Sequence, residues 1–238
     1  MPSAADAAPS FLYLPGSFAV GESLALEGDE ARYLSRVVRA RPGDRVTSSD
    51  GEGTLATLEV IESRPEVHVR VLAVEHVPEP PALRLLCGAP EGERGDWLVE
   101  KLAELGVTHL VPVETERVRW PAPLRLDRWE RLTVAALRQS RSAWRLQLCE
   151  PLGLREAVAA AGPGERWLAD PAGTPAHARA LLADTPVAGA VGPSSGFSEP
   201  ERNWLSEQGF VAVSLSASRL RTETAALALA SRWASSRA

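Results

Sequence analysis

From residue 11 to about 78 the apolar positions recur in twos. Val67, Val69 and Val71 alternate with His68, Arg70 and Leu72, the pattern of a strand with one face turned to a core. Short β-prone runs at 11–14, 23–27, 45–49, 54–62 and 67–77 are separated by Gly, Pro and Asp turns, which predicts a small β-rich unit. One helix interrupts it. Asp29 is placed to cap that helix, with Tyr33, Leu34, Val37 and Val38 on one face and Arg32, Arg36 and Arg39 on the other. Pro78-Glu79-Pro80-Pro81 is a stiff break and the expected domain boundary.

Beyond the break the period switches. Apolar runs at 83–87, 109–113, 146–149, 166–169, 187–191 and 210–215 read as strands. Between them lie helical stretches. One is capped by Asp96, carries Leu98, Leu102 and Leu105 on one stripe, and closes at Gly106. Others cover 127–142, 154–161, a short piece near 176–182, a segment opened by the Ser198/Glu201 capping box and ended by Gly209, and an Ala-rich last helix at 222–234. Strands alternating with helices predict an α/β fold, a parallel sheet covered on both faces. The expected organisation is a tail at 1–10, a β-rich domain at 11–78 and an α/β domain at 82–238.

Charge refines this picture. The net charge is −5, yet the basic residues are segregated. Arg32, Arg36, Arg39, Arg41 and Arg45 face only Asp44 within their stretch. Arg117, Arg119, Arg125, Arg128, Arg131, Arg138, Arg141 and Arg145 face only Asp127 and Glu130. Arginine offers phosphate a planar fork, so these stretches fit a nucleic-acid surface on an acidic protein. They also fit solvated helix faces. If the helix at 127–142 runs on to Arg145, then Arg131, Arg138, Arg141 and Arg145 form one stripe. No apolar run is long enough to span a membrane, and the first ten residues, MPSAADAAPS, have no signal-peptide pattern. Cys87 and Cys149 lie far apart in apolar surroundings, which suggests a reducing cytoplasm and no disulfide. The four histidines are scattered, and no metal site is expected.

Several chemistries fail on the residues. Lys101, the one lysine, sits within a helical stretch, so there is no P-loop; no GxGxxG follows the first strand of the α/β part. Gly192-Pro193-Ser194-Ser195-Gly196 fits the GxSxG of a hydrolase elbow, between strand and helix, with Ser194 as nucleophile. No histidine follows His177, however, and the hydroxyl would lack its usual base.

The segment GPSSGFSEPE at 192–201 resembles the GPEGGFSxxE segment of the RsmE-type rRNA methyltransferases of the SPOUT superfamily. Leu215, Leu220, Arg221, Glu223, Thr224 and Ala225 match that family's LGxxILRxETA. WLVEKLAELGVTHLVPVETER at 97–117, RWERLTVAALRQS at 128–140 and EARYLSRVVRARPGDRV at 30–46 are similar to further family segments in the same order. The resemblance runs from Phe11 almost to the end of the chain. It implies a PUA-like β-barrel followed by an α/β domain whose C-terminus threads a deep trefoil knot, a topology that periodicity cannot predict.

It also implies an activity. The expected reaction is transfer of a methyl group from S-adenosylmethionine to N3 of a uridine in small-subunit ribosomal RNA, by a cytoplasmic homodimer whose partner is that RNA or the small subunit. By the resemblance Gly192, Pro193, Gly196, Leu215, Ser216, Leu220, Arg221 and Thr224 would hold the cofactor. Arg221 would supply electrostatic stabilisation, with Glu223 orienting it or taking a proton. Arg32, Arg36, Arg39, Arg117, Arg131, Arg138 and Arg141 would meet RNA. The last helix, with Ala225, Ala226, Ala228 and Ala230, would pack on the dimer partner.

Some departures fall at the site. The family's Glu and second Gly are Ser194 and Ser195 here, its Gly after Leu215 is Ser216, and its acidic residue before Gln139-Ser140 is Arg138. If the family's glycines hold φ > 0, serine in their place costs on the order of 1–3 kcal/mol or reshapes the loop. A second reading therefore stands beside the enzyme: a knotted RNA- or ribosome-binding paralogue without cofactor affinity.

Overall fold

The computed structural model describes residues 10–121, 123–178 and 184–237. Contacts divide the chain into two compact units, one of residues 1–79 with 137–145, the other of 80–136 with 146–238.

The first unit is a curled five-stranded sheet. Strands β1 (Phe11–Tyr13), β2 (Ser23–Leu26), β3 (Arg45–Ser49), β4 (Thr54–Glu62) and β5 (Val67–His76) lie in the order β1-β3-β4-β5-β2. β1 runs parallel to β3, and the other pairs are antiparallel. Val67, Val69 and Val71 are buried, with Leu12, Leu34, Leu58 and Val60 in the same core. The alternation read from sequence is the one the pleat makes.

The helical insertion differs from expectation. α1 (Gly28–Arg32) is capped at Glu27, with Asp29 inside its first turn, and it passes at once into a π-helical stretch, Tyr33–Val38. The wider π turn rotates the predicted apolar face off register. Only Leu34 of that face is buried, and Val37 is 70% exposed. Arg39, at φ 56, ends the turn.

The second unit is a parallel sheet between two helical layers. Its strands are β6 (Leu83–Cys87), β7 (His109–Glu114), β8 (Gln147–Leu148), β9 (Leu152–Gly153), β10 (Glu165–Pro175), β11 (Val187–Val191) and β12 (Val211–Ser214). The order is β12-β10-β11-β6-β7-β8, with β9 also paired to β7. Its helices are α2 (Arg94–Glu104), α3 (Leu126–Ser140), α4 (Leu154–Ala160), α5 (Glu199–Glu207) and α6 (Thr222–Ser235). Leu83, Leu85 and Cys87 of β6 join Val187 and Val191 of β11 in one core with Leu98, Leu102, Leu229 and Trp233. Leu86, Ala188 and Ala190 turn to the other side, against Leu154, Val158 and Leu205. Alternation along each strand thus feeds two cores, as a doubly covered sheet requires.

Four boundaries depart from the sequence reading. Asp96 lies in the first turn of α2 and does not cap it; its carboxylate accepts from Trp129 Nε1 at 2.9 Å and pairs with Arg128 at 2.6 Å. α3 stops at Ser140 because Arg141 takes φ 55, so the helical stripe that would have carried on to Arg145 does not form. β10 extends to Pro175, with an irregularity in its pairing to β12 between Ala169 and Thr174. Of the short helix expected near 176–182, a single 3-10 turn covers Ala176–Ala178, and 179–183 lies outside the described residues.

Candidate active site

The loops after β11 and β12, with the irregular stretch in the middle of β10, enclose a cavity of about 480 Å³. Asp170–Ala172 line it from β10, Gly192–Ser194 with Gly196 and Phe197 from the loop after β11, and Leu215, Ser216 and Ser218–Leu220 from the loop after β12. Thr222 and Ala225 of α6 complete the wall. The crevice beyond the carboxyl ends of parallel strands is where ligands of such sheets bind, because the strand-to-loop turns there leave backbone groups free.

Close backbone contact builds the first loop. A Cβ on Gly192 would lie 2.9 Å from Phe197 N, and one on Gly88 would lie 2.4 Å from Pro193 N. Gly88 therefore lets the end of β6 support the loop from beneath. Gly196 takes φ +70 and turns the chain back, its N–H donating to Pro193 O at 2.7 Å. Phe197 anchors the far side in the core, and Ser198 and Glu201 form the capping box that starts α5. Glu201 also accepts the Glu116 N–H at 2.8 Å, tying the end of β7 to the same helix start.

Ser194, Ser195 and Ser216 are not strained. Among the described residues the only non-glycine positions with positive φ are Arg39 and Arg141. The three serines occupy backbone that any residue adopts, so the expected penalty does not arise. Two arginines hold this loop through its carbonyls: Arg219 Nη2 donates to Ser194 O at 3.1 Å and Arg117 Nη1 to Ser195 O at 3.3 Å. The Thr222 hydroxyl donates to Gly192 O at 3.1 Å, so the start of α6 is fastened to the loop after β11.

Of the residues expected at the cofactor, Gly192, Pro193, Gly196, Leu215, Ser216 and Leu220 line the cavity. Thr224 does not: it is exposed, and Thr222 takes its place, because a helix turns the second residue after Thr222 by roughly 200°. Arg221 is the N-cap of α6 and exposed, and it does not line the cavity.

Glu223 is paired with Arg94 in place of Arg221. Arg94 Nη1 stands 2.7 Å from Glu223 Oε1, and the Glu223 side chain is 2% exposed against 49% for Arg94. A carboxylate so enclosed is not open to take a proton from a substrate. It lies near Cys87, whose thiol is pushed up to about 12 by burial first and the Glu223 charge second. Cys87 thus stays a neutral thiol and no nucleophile.

The other arginines separate by environment. Arg32, Arg36 and Arg39 are exposed on the helical insertion, Arg32 with Asp29 at 2.9 Å. Arg117 and Arg131 are exposed, Arg131 beside Asp127 at 3.6 Å, and Arg141 is exposed. Arg138 leaves the set, since it is half-buried and pairs with Glu30 at 3.1 Å. Sequence reading missed Arg94, Thr222, Gly88 and Arg219; a glycine just after the first α/β strand was the one signal available for Gly88. Among the described residues no group of histidine, cysteine and acidic side chains is arranged to hold a metal, and no helix is long and apolar enough to cross a membrane.

Comparison with known proteins agrees with this geometry. Residues 78–234 match the model of an RNA methyltransferase domain, and 26–72 that of an RNA methyltransferase PUA domain. The chain is 30% identical to the ribosomal RNA small subunit methyltransferase E of Mycobacterium bovis, over 90% of this chain and 89% of that one. It is 28% identical to the enzyme of that name from Synechocystis, over 85% and 70%. Among solved structures, the ribosomal RNA small subunit methyltransferase E of Neisseria gonorrhoeae bound to S-adenosyl methionine superposes with a TM-score of 0.82 at 29% identity, covering 94% of this chain and 95% of that one. A Legionella pneumophila methyltransferase in complex with SAM gives the same TM-score at 27% identity, covering 94% and 96%.

Proposed function

Because the chain belongs to the RNA methyltransferase family and carries that family's PUA domain, we propose that it methylates N3 of a uridine in small-subunit ribosomal RNA with S-adenosylmethionine as donor. The observation that carries this reading is the cavity between the loops after β11 and β12 and the irregular stretch of β10, in a chain similar to two methyltransferases solved with that cofactor, one of them a ribosomal RNA small subunit methyltransferase.

The lining fits the cofactor. Gly192, Pro193 and Gly196 bring backbone against it without side-chain obstruction, and Leu215, Leu220 and Val213 supply an apolar wall for an adenine ring. Bound there, S-adenosylmethionine supplies an electrophilic methyl group. In this reading Ser216 and the backbone of 215–220 read the base edge, and Thr222, through its hydrogen bond to Gly192 O, holds the two loops together. That tie also suits a C-terminal segment threaded as a knot, with the loops at 192–197 and 215–221 forming the crossing.

Uridine N3 is protonated at neutral pH, so the residues must favour loss of its proton or the anionic ring that results. Exposed Arg221, beside the cavity in sequence, is suited to meet RNA phosphate or base. The domain at 11–78 holds RNA through Arg32, Arg36 and Arg39, with Arg117, Arg131 and Arg141 adding contacts. The protein acts in the cytoplasm, on free RNA or the small subunit, as a homodimer in which the last helix meets its partner.

The binding-only alternative rested on Ser194, Ser195 and Ser216 standing where the family has other residues; their ordinary backbone removes strain as its ground. Calorimetric titration with S-adenosylmethionine tests the cofactor. Saturable micromolar binding, followed by appearance of N3-methyluridine in small subunits lacking the mark, is the expected result. Absence of binding at millimolar cofactor would overturn the enzyme reading.

A further inference from the structure

Arg94 stands 2.7 Å from Glu223, a carboxylate almost wholly withdrawn from solvent, while half of the Arg94 side chain remains open. Burying a charge pair is rarely the most stable use of space; apolar residues of similar volume commonly do as well or better. Such a pair, with one member enclosed and the other exposed, fixes a guanidinium in place and leaves some of its donors free. Three features locate it. Glu223 follows Thr222, which lines the cavity and bonds to the loop after β11. Its charge acts on Cys87, the last residue of β6. Gly88, next in sequence, packs under Pro193. Arg94 nevertheless does not line the cavity itself, which suits a group that meets the substrate in preference to the cofactor.

We propose that Arg94, positioned by Glu223, is the residue that stabilises the anionic uracil ring during methyl transfer, an inference that rests on the methyltransferase reading above. As the N3–H bond breaks, its proton passes to solvent and its electron pair stays on the ring, spread over N3 and the two carbonyl oxygens. The N3–methyl bond then forms with that pair, while the sulfonium–methyl bond breaks and leaves a neutral thioether. A guanidinium already held in place stabilises the developing charge without reorganising at the moment of reaction. Arg221 is the exposed N-cap of α6, and Glu223 pairs with Arg94 in its place.

The test uses the full chain with small ribosomal subunits lacking the modification, and measures kcat, KM for RNA, cofactor affinity and Tm. The double variant Arg94→Met/Glu223→Gln removes both charges while nearly conserving volume. It is expected to keep the wild-type Tm and, within about twofold, the cofactor affinity, while kcat falls by about 100-fold or more, the scale for loss of one preorganised donor. Glu223→Gln alone keeps Arg94 but loosens it, with an expected tenfold fall in kcat. Wild-type kcat in the double variant would overturn the proposal. If that variant does not fold, Arg94→Lys decides, because it keeps a cation beside Glu223. A structural role then leaves kcat and its pH profile unchanged. A role in stabilising the anion lowers kcat at least tenfold and moves the rise of kcat to higher pH. A wild-type protein that binds no cofactor or modifies no RNA would instead defeat the underlying methyltransferase reading.

Discussion

The guanidinium of Arg138 stands 3.1 Å from the Glu30 carboxylate, and the pair closes the segment 137–145 onto α1 within the first unit. Glu30 also accepts the Tyr13 N–H at 3.4 Å, while its Oε2 and the Arg138 Nε are buried without hydrogen-bond partners. Removing one partner leaves the other charge uncompensated. Arg138→Ala is therefore expected to destabilise the protein by about 3 kcal/mol or somewhat less, given that Arg138 keeps some exposure. Its effect on RNA affinity should be no larger than this loss explains. Urea unfolding and a filter-binding titration measure the two; a loss of affinity in a fully stable variant would restore Arg138 to the RNA-facing set.

The same pair sets a pH dependence. Burial pushes Glu30 above its ordinary 4.5 with help from Asp29, against Arg138 and the Tyr13 N–H. Between the ordinary and the raised value the folded state binds more protons than the unfolded one. The Glu30 contribution is thus full below about pH 4.5 and is lost as pH rises through the folded value. Urea midpoints of wild type and Glu30→Gln, followed upward from about pH 4, should show the wild-type advantage shrinking with pH. A growing advantage would contradict the assigned cause.

Under the loop after β11, Gly88 is a tightly constrained position that no sequence motif marked. Gly88→Ala places a methyl group against Pro193 and should cost about 1–3 kcal/mol, with cofactor affinity reduced tenfold or more. Gly92→Ala is the control. Its Cβ meets open space at φ +63, so only backbone strain is expected, with cofactor affinity kept. Equal affinities for the two variants in calorimetry would show that the loop does not depend on this contact.

Replacing Ser195 or Ser216 by the family's glycine brings no relief, since their φ values are ordinary. Ser195→Gly should lower stability by up to about 1 kcal/mol through added chain freedom, with cofactor binding no tighter. Tighter binding, measured by calorimetry, would mean that the serine does obstruct the site.

Thr222→Val removes the hydroxyl that reaches Gly192 O. A loss of about 1 kcal/mol is expected from the bond, with a larger effect on cofactor affinity than on Tm, because both loops border the cavity. Thr224→Val, on the exposed side of the same turn, should leave affinity intact.

Strand after strand was legible in the chain. β3, β4, β6 and β11 begin and end where the alternation predicts, and Ser198 with Glu201 caps α5 as its spacing requires. The helical insertion was legible only in outline: a π turn shifts every later side chain by a fraction of a turn, and nothing in YLSRVV announces it. Arg141 ended α3 through a left-handed backbone that its side chain gives no reason to expect.

What the sequence by itself determined are features made by neighbours: pleat alternation, caps that bond three residues on, glycines at turns, and the ordered segments that reveal the family. Each depends on separations of a few residues, so chain order carries it. What only the tertiary structure decided are partners set by strand order and helix rotation. Glu223 meets Arg94 across 129 residues, Arg138 meets Glu30, and Thr222 faces the cavity in place of Thr224. An ionic or hydrogen-bonded partner that distant is chosen by which surfaces the sheet brings together, and no local period encodes it.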